Sequence, residues 1–407
     1  MKQKLLMLLI AAVLAVGTIF LTACVVKETP AATEEIMEEQ EQITVTGMNG
    51  FSLLLMERLL ENKEPEENMV VSPYSVWLCL AALTNGTREE VKADLFAALG
   101  YPEMTQEGFN ATARILGSMP VQTANALFVS ENAKLRESFE DMYTREYEGG
   151  LFAVDFSSPQ AVEDINAWAA EKTEGHIEKI LESIHPETRA AIANAVYFAD
   201  GWNTAFPEEN TRDGVFYGIS RNQTVPFMNR RFSEIPYYED DKMQVTVLTT
   251  TQGGELWLML PKDGYSAEEV LSACSRETLD AMRTAERSTV ILSLPGFRVK
   301  TEPFSVLEQL QEMGIVITDR EHSYLTELAE GEELTISQAM HSAMLEVDEK
   351  GMTAAAATVM GMMRMSMPRE TEPVELTFDK PFAFLLTMDA NELGNQILFG
   401  GVINHIE

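Results

Sequence analysis

Cysteine, histidine and positive charge are all scarce in this chain. Of its 407 residues three are cysteine and five histidine, and 30 lysines and arginines stand against 64 aspartates and glutamates. The formal charge of −34 leaves no basic footprint for a polyanion, which excludes a nucleic-acid partner and argues against heparin. Beyond that, an acidic balance implies solubility and little else. After Cys24 only Cys79 and Cys274 remain, too few for a disulfide framework, and no CxxC or His/Cys cluster suggests a metal. Cys79 sits in "SVWLCLAAL", an apolar helix face, so a free, buried thiol is expected there.

Catalytic signatures are missing as well. None of His176, His185, His322, His341 and His405 belongs to an HExxH motif, and there is no G-x-S-x-G elbow, P-loop or GxGxxG after a strand. A Ser/His/Asp triad can be scattered along a sequence, so these absences carry limited weight. Carboxylates are too abundant for any pair to be informative. His341, in "ISQAMHSAMLEV", falls within a strand-like alternation and is expected to be a hydrogen-bonded core group rather than a base. No cofactor is implied.

The N-terminus has the form of a targeting segment. Lys2 and Lys4 precede the apolar run from Leu5 to Phe20, which ends in Leu21-Thr22-Ala23-Cys24. That ending resembles a bacterial lipobox, which implies a lipoprotein signal peptide over 1–23, cleavage before Cys24 and lipid on its thiol. An uncleaved membrane anchor is the alternative. Either way the bulk of the chain is expected outside the cytoplasm, lipid-anchored at the bacterial cell surface. Several acyl chains on Cys24 are needed, because one holds only marginally. Residues 24–46 are polar and glutamate-rich, suited to a solvated acidic tether.

The remainder, 47–407, alternates helical and strand-like segments with no repeat and no internal linker. "GFSLLLMERLLEN" has helical spacing. "NMVVSPYSVWLCLAALTNG" reads as a short strand followed by a helix opened by Ser72-Pro73. "TREEVKADLFAAL" carries Thr87 and Glu90 at capping-box spacing. "PQAVEDINAWAAEKTEGHIEKIL" is helical up to a break at Gly175, and "RAAIANAVYFADGW" is too apolar for an exposed edge. "KMQVTVLTTT", "GELWLMLPKDG", "STVILSLPGFRVK" and the C-terminal tail are β-rich and closed by turn residues. Helices dominate early and strands late, the pattern of a single α+β domain with large, mostly antiparallel sheets.

Eight segments, in order and spacing, resemble the serpins. They are "NMVVSPYSVWLCLAAL", "AWAAEKTEGHIEKIL", "NAVYFADGWNTAF" with Thr211 and Phe216 behind it, "LWLMLPKDG", "LSLPGFRVK", "ISQAMHSAMLEVDEKG", "FDKPFAFLL" and "ILFGGVI". The likeness spans roughly Met48 to Glu407. It implies an α+β serpin fold of three β-sheets and about nine helices, with an exposed reactive-centre loop over about 349–373. It also implies a monomeric inhibitor rather than an enzyme, whose partners are serine proteases held as covalent acyl-enzymes. A target protease cleaves the loop, and the loop then inserts as a new strand into the central sheet.

The segment "EKGMTAAAATVMGMMRMSMP" falls where that loop belongs. Between Gly351 and Met363 it carries no charge. An arm that must slip between strands cannot hold an unpaired charge, which is costly to bury, or a proline, which removes a ladder hydrogen bond. The resemblance assigns hinge and insertion roles to Glu349, Gly351, Met352, Thr353, Ala354, Ala355, Ala356, Ala357 and Thr358. Met352 stands where inhibitory serpins usually carry a small Thr or Ser, a departure that bears on insertion speed. In an inserted strand Met352, Ala354, Ala356, Thr358 and Met360 share one face. The family spacing puts the scissile bond at Met365-Ser366, with Arg364 or a neighbour such as Met363 as alternatives. "MSMP" is also similar to the reactive centre of α1-antitrypsin. A methionine there suits elastase-like or chymotrypsin-like proteases, whereas trypsin-like enzymes would need Arg364 or Arg369. The resemblance further places Trp202 near the top of the central sheet, and Ser72, Asn194 and His341 near its middle, where strands part. A non-inhibitory or substrate-like serpin is the competing reading, and a lipoprotein enzyme a third.

Overall fold

A computed structural model describes residues 46–147, 150–315, 324–331, 334–352 and 372–406. Cys24, the arm residues Thr353, Ala354, Ala355, Ala356, Ala357 and Thr358, and Arg364, Met365 and Ser366 lie outside the described residues.

Nine α-helices occur among the described residues. They are α1 (Gly47–Glu61), α2 (Pro73–Leu83), α3 (Glu89–Ala98), α4 (Gln106–Gly117), α5 (Glu137–Tyr147), α6 (Gln160–Lys172), α7 (Ala267–Ser272), α8 (Arg276–Arg283) and α9 (Leu307–Glu312). Ser72 starts α2 as its sequence implies: its Oγ accepts the Ser75 amide at 3.3 Å and Pro73 takes the first helical position. Every residue of α2 is buried, which explains its nearly unbroken apolar composition. The start of α3 differs from the capping box expected of Thr87 and Glu90. Arg88 is the N-cap residue and makes no side-chain cap, because Thr87 Oγ1 donates instead to the Thr84 carbonyl at 2.7 Å. Helix α6 ends at Lys172, and Glu174 (φ 51°) with Gly175 (φ 85°) turns the chain out of the helix.

The strands form three sheets. The central one is ordered β3 (Gly150–Val154), β2 (Gln122–Ser130), β4 (Ala190–Tyr197), β13 (Ile336–Val347), β14 (Gly351–Met352) and β5 (Asp200–Gly201). Two further strands, β11 (Phe297–Lys300) and β12 (Phe304–Ser305), pair with β13. A second sheet runs β1 (Met69–Val71), β17 (Asn395–Ile403), β16 (Phe382–Asp389), β9 (Gly254–Pro261), β8 (Met243–Thr249) and β7 (Asn222–Glu239). The same β7, 18 residues long, continues into a third sheet with β6 (Arg212–Tyr217), β10 (Arg287–Pro295) and β15 (Val374–Thr377). Glu234, at φ 58°, lies at an irregularity in the β7–β10 pairing, between Ile235↔Ser288 and Phe232↔Val290. Most pairs are antiparallel, the parallel ones being β2–β3, β4–β13 and β10–β15.

Helix α2 packs on β4 and on β17 and so fills the space between the central and second sheets. The opposite face of β2 and β4 is lined by Ala124, Ala126, Ala191, Ala193 and Ala195, packed beneath Ile165 and Ala169 of α6 and Ile177 and Ile180 of the strap that follows it. Small side chains let helix and strap lie close over the middle of the sheet. The strap is pinned by Asn166, whose Oδ1 accepts the Ile180 and Leu181 amides at 2.8 and 2.9 Å.

Candidate functional site: the seam and hinge of the central sheet

Strands β4 and β13 are direct parallel neighbours, paired from Ile336↔Ala190 to Met344↔Tyr197. No strand lies between them over this length, so the central sheet is closed. Its upper end is different. The chain reverses after Val347, and β14 pairs back onto β13 through Val347↔Met352. On its other side β14 pairs with β5, Gly351↔Gly201 and Met352↔Asp200. Because β5 continues the chain of β4, the short β14 is a wedge that parts the top of the β4–β13 seam.

Gly351 and Met352 therefore depart from the exposed loop expected of 349–373. Both are buried strand residues, Met352 with 0% exposure. A Cβ on Gly351 would lie 2.3 Å from the Asp200 carbonyl oxygen, so the close approach of β14 to β5 requires glycine. Methionine's unbranched thioether can adapt to the space beside Asp200 and Val347, which removes the packing objection to a large residue here. Asp200 is itself 2% exposed, and its carboxylate accepts from Thr251 Oγ1 and the Gln252 amide at 2.5 and 2.8 Å.

The turn from Asp348 to Gly351 is held from two sides. From within, Asp348 Oδ1 accepts the amides of Lys350 and Gly351 at 2.7 and 2.9 Å, and the Asp348 amide donates to the Gly351 carbonyl at 3.0 Å. From outside, Trp202 Nε1 donates to the Asp348 carbonyl, the Phe206 amide to Glu349 and the Trp202 amide to Lys350, each at 2.8 Å. Thr211 Oγ1 donates to the Glu349 carboxylate at 2.7 Å. Lys350 pairs with Glu208 at 3.3 Å, but both are exposed, so that contact is worth little. Trp202 thus sits at the top of the sheet, against the hinge.

Ser72, Asn194 and His341 meet in one polar cluster at the middle of the seam. His341 Nδ1 bonds to Asn194 Oδ1, and its Nε2 accepts the Ser72 amide at 3.2 Å. That pairing makes Nδ1 the protonated nitrogen of a neutral ring. Burial holds the imidazole far below its usual range, at about 3. The Asn194 amide group donates to Ser75 Oγ and Asn125 Oδ1 and lies 3.7 Å from Cys79 Sγ. Burial pushes the Cys79 thiol up to about 12, and Cys79 and Cys274 are both free. Ser72 Oγ donates to the Leu398 carbonyl at 2.7 Å and is not offered to His341 as a nucleophile would be. The cluster joins α2, β2, β4 and β13 and is suited to holding strands together, not to acid–base chemistry.

A family model described as serpin (serine protease inhibitor) matches residues 46–406. The chain belongs to the serpin family. It is 29% identical over 92% of its length to a serpin-like protein of Thermococcus kodakarensis, covering 89% of that protein. It is 28% identical to an antitrypsin of Bombyx mori, over 88% of this chain and 92% of the relative. The native state of the thermophilic serpin tengpin has the same fold, with a TM-score of 0.76, 24% identity and coverage of 94% and 96% of the two chains.

Within this serpin, sequence reasoning named Trp202, Glu349, Gly351, Met352, Ser72, Asn194 and His341, and the fold gathers them at two stations, the hinge and the middle of the seam. It missed Ser75, Asn125, Thr211 and Asp348 as members of those stations. A signal for Asn125 was present: "TANALFV" and "AAIANAVY" each carry one asparagine in an otherwise apolar strand, and Asn125 and Asn194 are register partners. Ser75 lies one helical turn after Ser72, on the same face.

Proposed function

We propose that this serpin is an irreversible suicide-substrate inhibitor of extracellular serine proteases with elastase-like or chymotrypsin-like pockets. We further propose that it is displayed at a bacterial cell surface by lipid on Cys24. The observation that carries the inhibitory reading is the closed β4–β13 seam beneath the β14 wedge: a strand has started at the top of a seam that the rest of the loop is composed to enter.

The protease serine attacks the Met365 carbonyl, and the amine of Ser366 leaves, so the enzyme becomes acylated on the arm. The arm then extends β14. Each residue added after Met352 pairs with one residue earlier on β13, so Thr358 comes opposite His341, and Met363 opposite Ile336 at the far end of the strand. Counted from Met352↔Asp200, Thr358 also comes level with Asn194. Cross-strand partners point to the same face, so the Thr358 hydroxyl would meet the two side chains whose mutual bond it separates. It can accept from one and donate to the other, replacing the broken hydrogen bond instead of stranding two buried polar groups. The outward-facing Thr353, Ala355, Ala357 and Val359 are small enough to pass beneath α6 and the strap. An acyl-enzyme carried the length of the sheet by this arm is distorted before water completes hydrolysis.

A non-inhibitory serpin would tolerate charge or proline in this arm, and Gly351 to Val359 has neither. Incubation with pancreatic elastase followed by a denaturing gel tests the reading. A stable covalent complex supports it. Clean cleavage without a complex supports the substrate-like alternative, and no cleavage removes Met365-Ser366 as the bait. Metabolic labelling with a fatty acid should mark the wild-type protein and not Cys24→Ala.

A further inference from the structure

We infer that Asp348 is a positioning residue that fixes the register in which the loop enters the central sheet. The inference rests on the insertion reading above.

The carbonyls of Asp348, Glu349 and Lys350 are bound by Trp202 and Phe206, and the Gly351 carbonyl accepts the Asp348 amide. Among the described residues the amides of Lys350 and Gly351 share one acceptor, Asp348 Oδ1 at 2.7 and 2.9 Å. An aspartate opening a turn closed by glycine three residues on is a composition that favours one tight geometry. This turn is the only covalent link between β13 and β14, and hairpin register follows from the turn. Val347↔Met352 is therefore set before the loop is cut. All later pairs inherit it.

Register matters here more than in most strand additions. A slip of one residue brings Ala357 or Val359 to the level of His341 and Asn194 in place of Thr358. Neither has a side-chain hydrogen-bonding group, so the parted pair would be buried with its hydrogen bond broken. The slip also turns the arm over, sending its other face toward the core. Strain peaks when the arm is pulling an attached protease, and the turn is then the pivot. Without Asp348 Oδ1, the two amides lose the acceptor that holds the pivot in shape. Insertion is then expected to be slower or mis-registered, and deacylation wins more often.

Asp348→Ala, Asp348→Asn and Asp348→Ser are compared for association rate with elastase, inhibitor consumed per protease trapped, and melting temperature before and after loop cleavage. Asp348→Asn keeps the acceptor oxygen and should match wild type, whereas Asp348→Ser, a weaker acceptor in such turns, should be intermediate. Asp348→Ala should consume at least about fivefold more inhibitor per complex, the factor that one of its two lost hydrogen bonds is worth. Its association rate should be unchanged, because the bait is untouched. The register itself is read with Thr358→Val, which should lower the melting temperature of cleaved wild type but have little effect in cleaved Asp348→Ala. The inference is overturned if Asp348→Ala traps with wild-type stoichiometry, if Asp348→Asn fails as badly as Asp348→Ala, or if Thr358→Val has the same effect in both backgrounds. Should Asp348→Ala not fold, the ranking of Asn above Ser decides. If wild type traps no protease, inhibition falls, but the cleaved-form melting temperatures still test Asp348.

Discussion

His341 on β13 and Asn194 on β4 are register partners across the seam, and their side chains are hydrogen-bonded to each other through Nδ1 and Oδ1. The closed sheet is thus joined at its middle by a side-chain contact as well as by its backbone ladder. Any strand that enters the seam must part these two groups and satisfy both, which makes their chemistry a gauge of the mechanism.

The first test is pH. The folded-state pKa of His341, at about 3, lies below its ordinary value of 6.5, so between those values the unfolded chain binds the proton that the folded chain refuses. Its contribution is complete above pH 6.5 and is lost progressively as pH falls toward 3, with a ceiling on the order of 5 kcal/mol. Protonation also turns Nε2 into a donor facing the Ser72 amide, which it now accepts from. Denaturant unfolding from pH 7 to 4 should show a steeper loss of stability in wild type than in His341→Gln. Equal slopes would mean that His341 is not the titrating group.

A second expectation concerns Thr358. Its replacement by valine keeps the shape and removes the hydroxyl, leaving His341 and Asn194 to be buried without their new partner. The inserted form should lose about 1–3 kcal/mol while the uncut protein keeps its stability. Melting curves of intact and cleaved variants separate the two effects, and an equal loss in both would contradict the registration of Thr358 with the seam.

The arm itself should not tolerate charge. Ala354 and Ala356 face the core in the inserted strand, and Ala356→Glu would bury a carboxylate with no cation assigned to meet it, at a cost of several kcal/mol. Complex formation should fall and cleaved inhibitor accumulate. The rate of loop cleavage should be unchanged, and kinetic assays with a chromogenic substrate distinguish the two.

Gly351→Ala tests the wedge. The new methyl would meet the Asp200 carbonyl oxygen at 2.3 Å, so β14 must move off β5. A loss of about 1–3 kcal/mol in the uncut protein is expected from such overpacking, measured as a lower urea midpoint. An unchanged midpoint would show that β14 does not need its close approach.

Oxidation probes the bait. Mild peroxide converts exposed methionine to a polar sulfoxide, and if Met365 fills the protease pocket, inhibition of elastase should slow. Unchanged rates after confirmed oxidation of Met365 would point to Arg364 or a neighbour.

Much of this arrangement was legible in sequence, and the remainder was hidden for physical reasons. The alternation in "ISQAMHSAMLEV" and the apolar run "RAAIANAVYF" announced two buried strands, and the uncharged arm announced an unusual demand on a loop. What periodicity does not reveal is which strands become neighbours. The parallel pairing of β4 with β13 joins residues more than a hundred positions apart, and only that pairing makes His341 and Asn194 partners. The capping box expected at Thr87 gave way because a nearer carbonyl, that of Thr84, took the hydroxyl. Met352 is a sharper case. Its size suggested difficulty at the hinge, but the side chain is already buried between Val347 and Asp200.

The most direct measurement is the melting temperature before and after cutting the loop once, with the fragments left associated. Insertion in the register set by Val347↔Met352 adds a strand along the full 12 residues of β13. It predicts a rise of at least about 10 °C, equivalent to roughly 7–8 kcal/mol for a domain of this size. A melting temperature that is unchanged or lowered after confirmed cleavage at Met365-Ser366 would contradict strand insertion and, with it, the trapping of proteases.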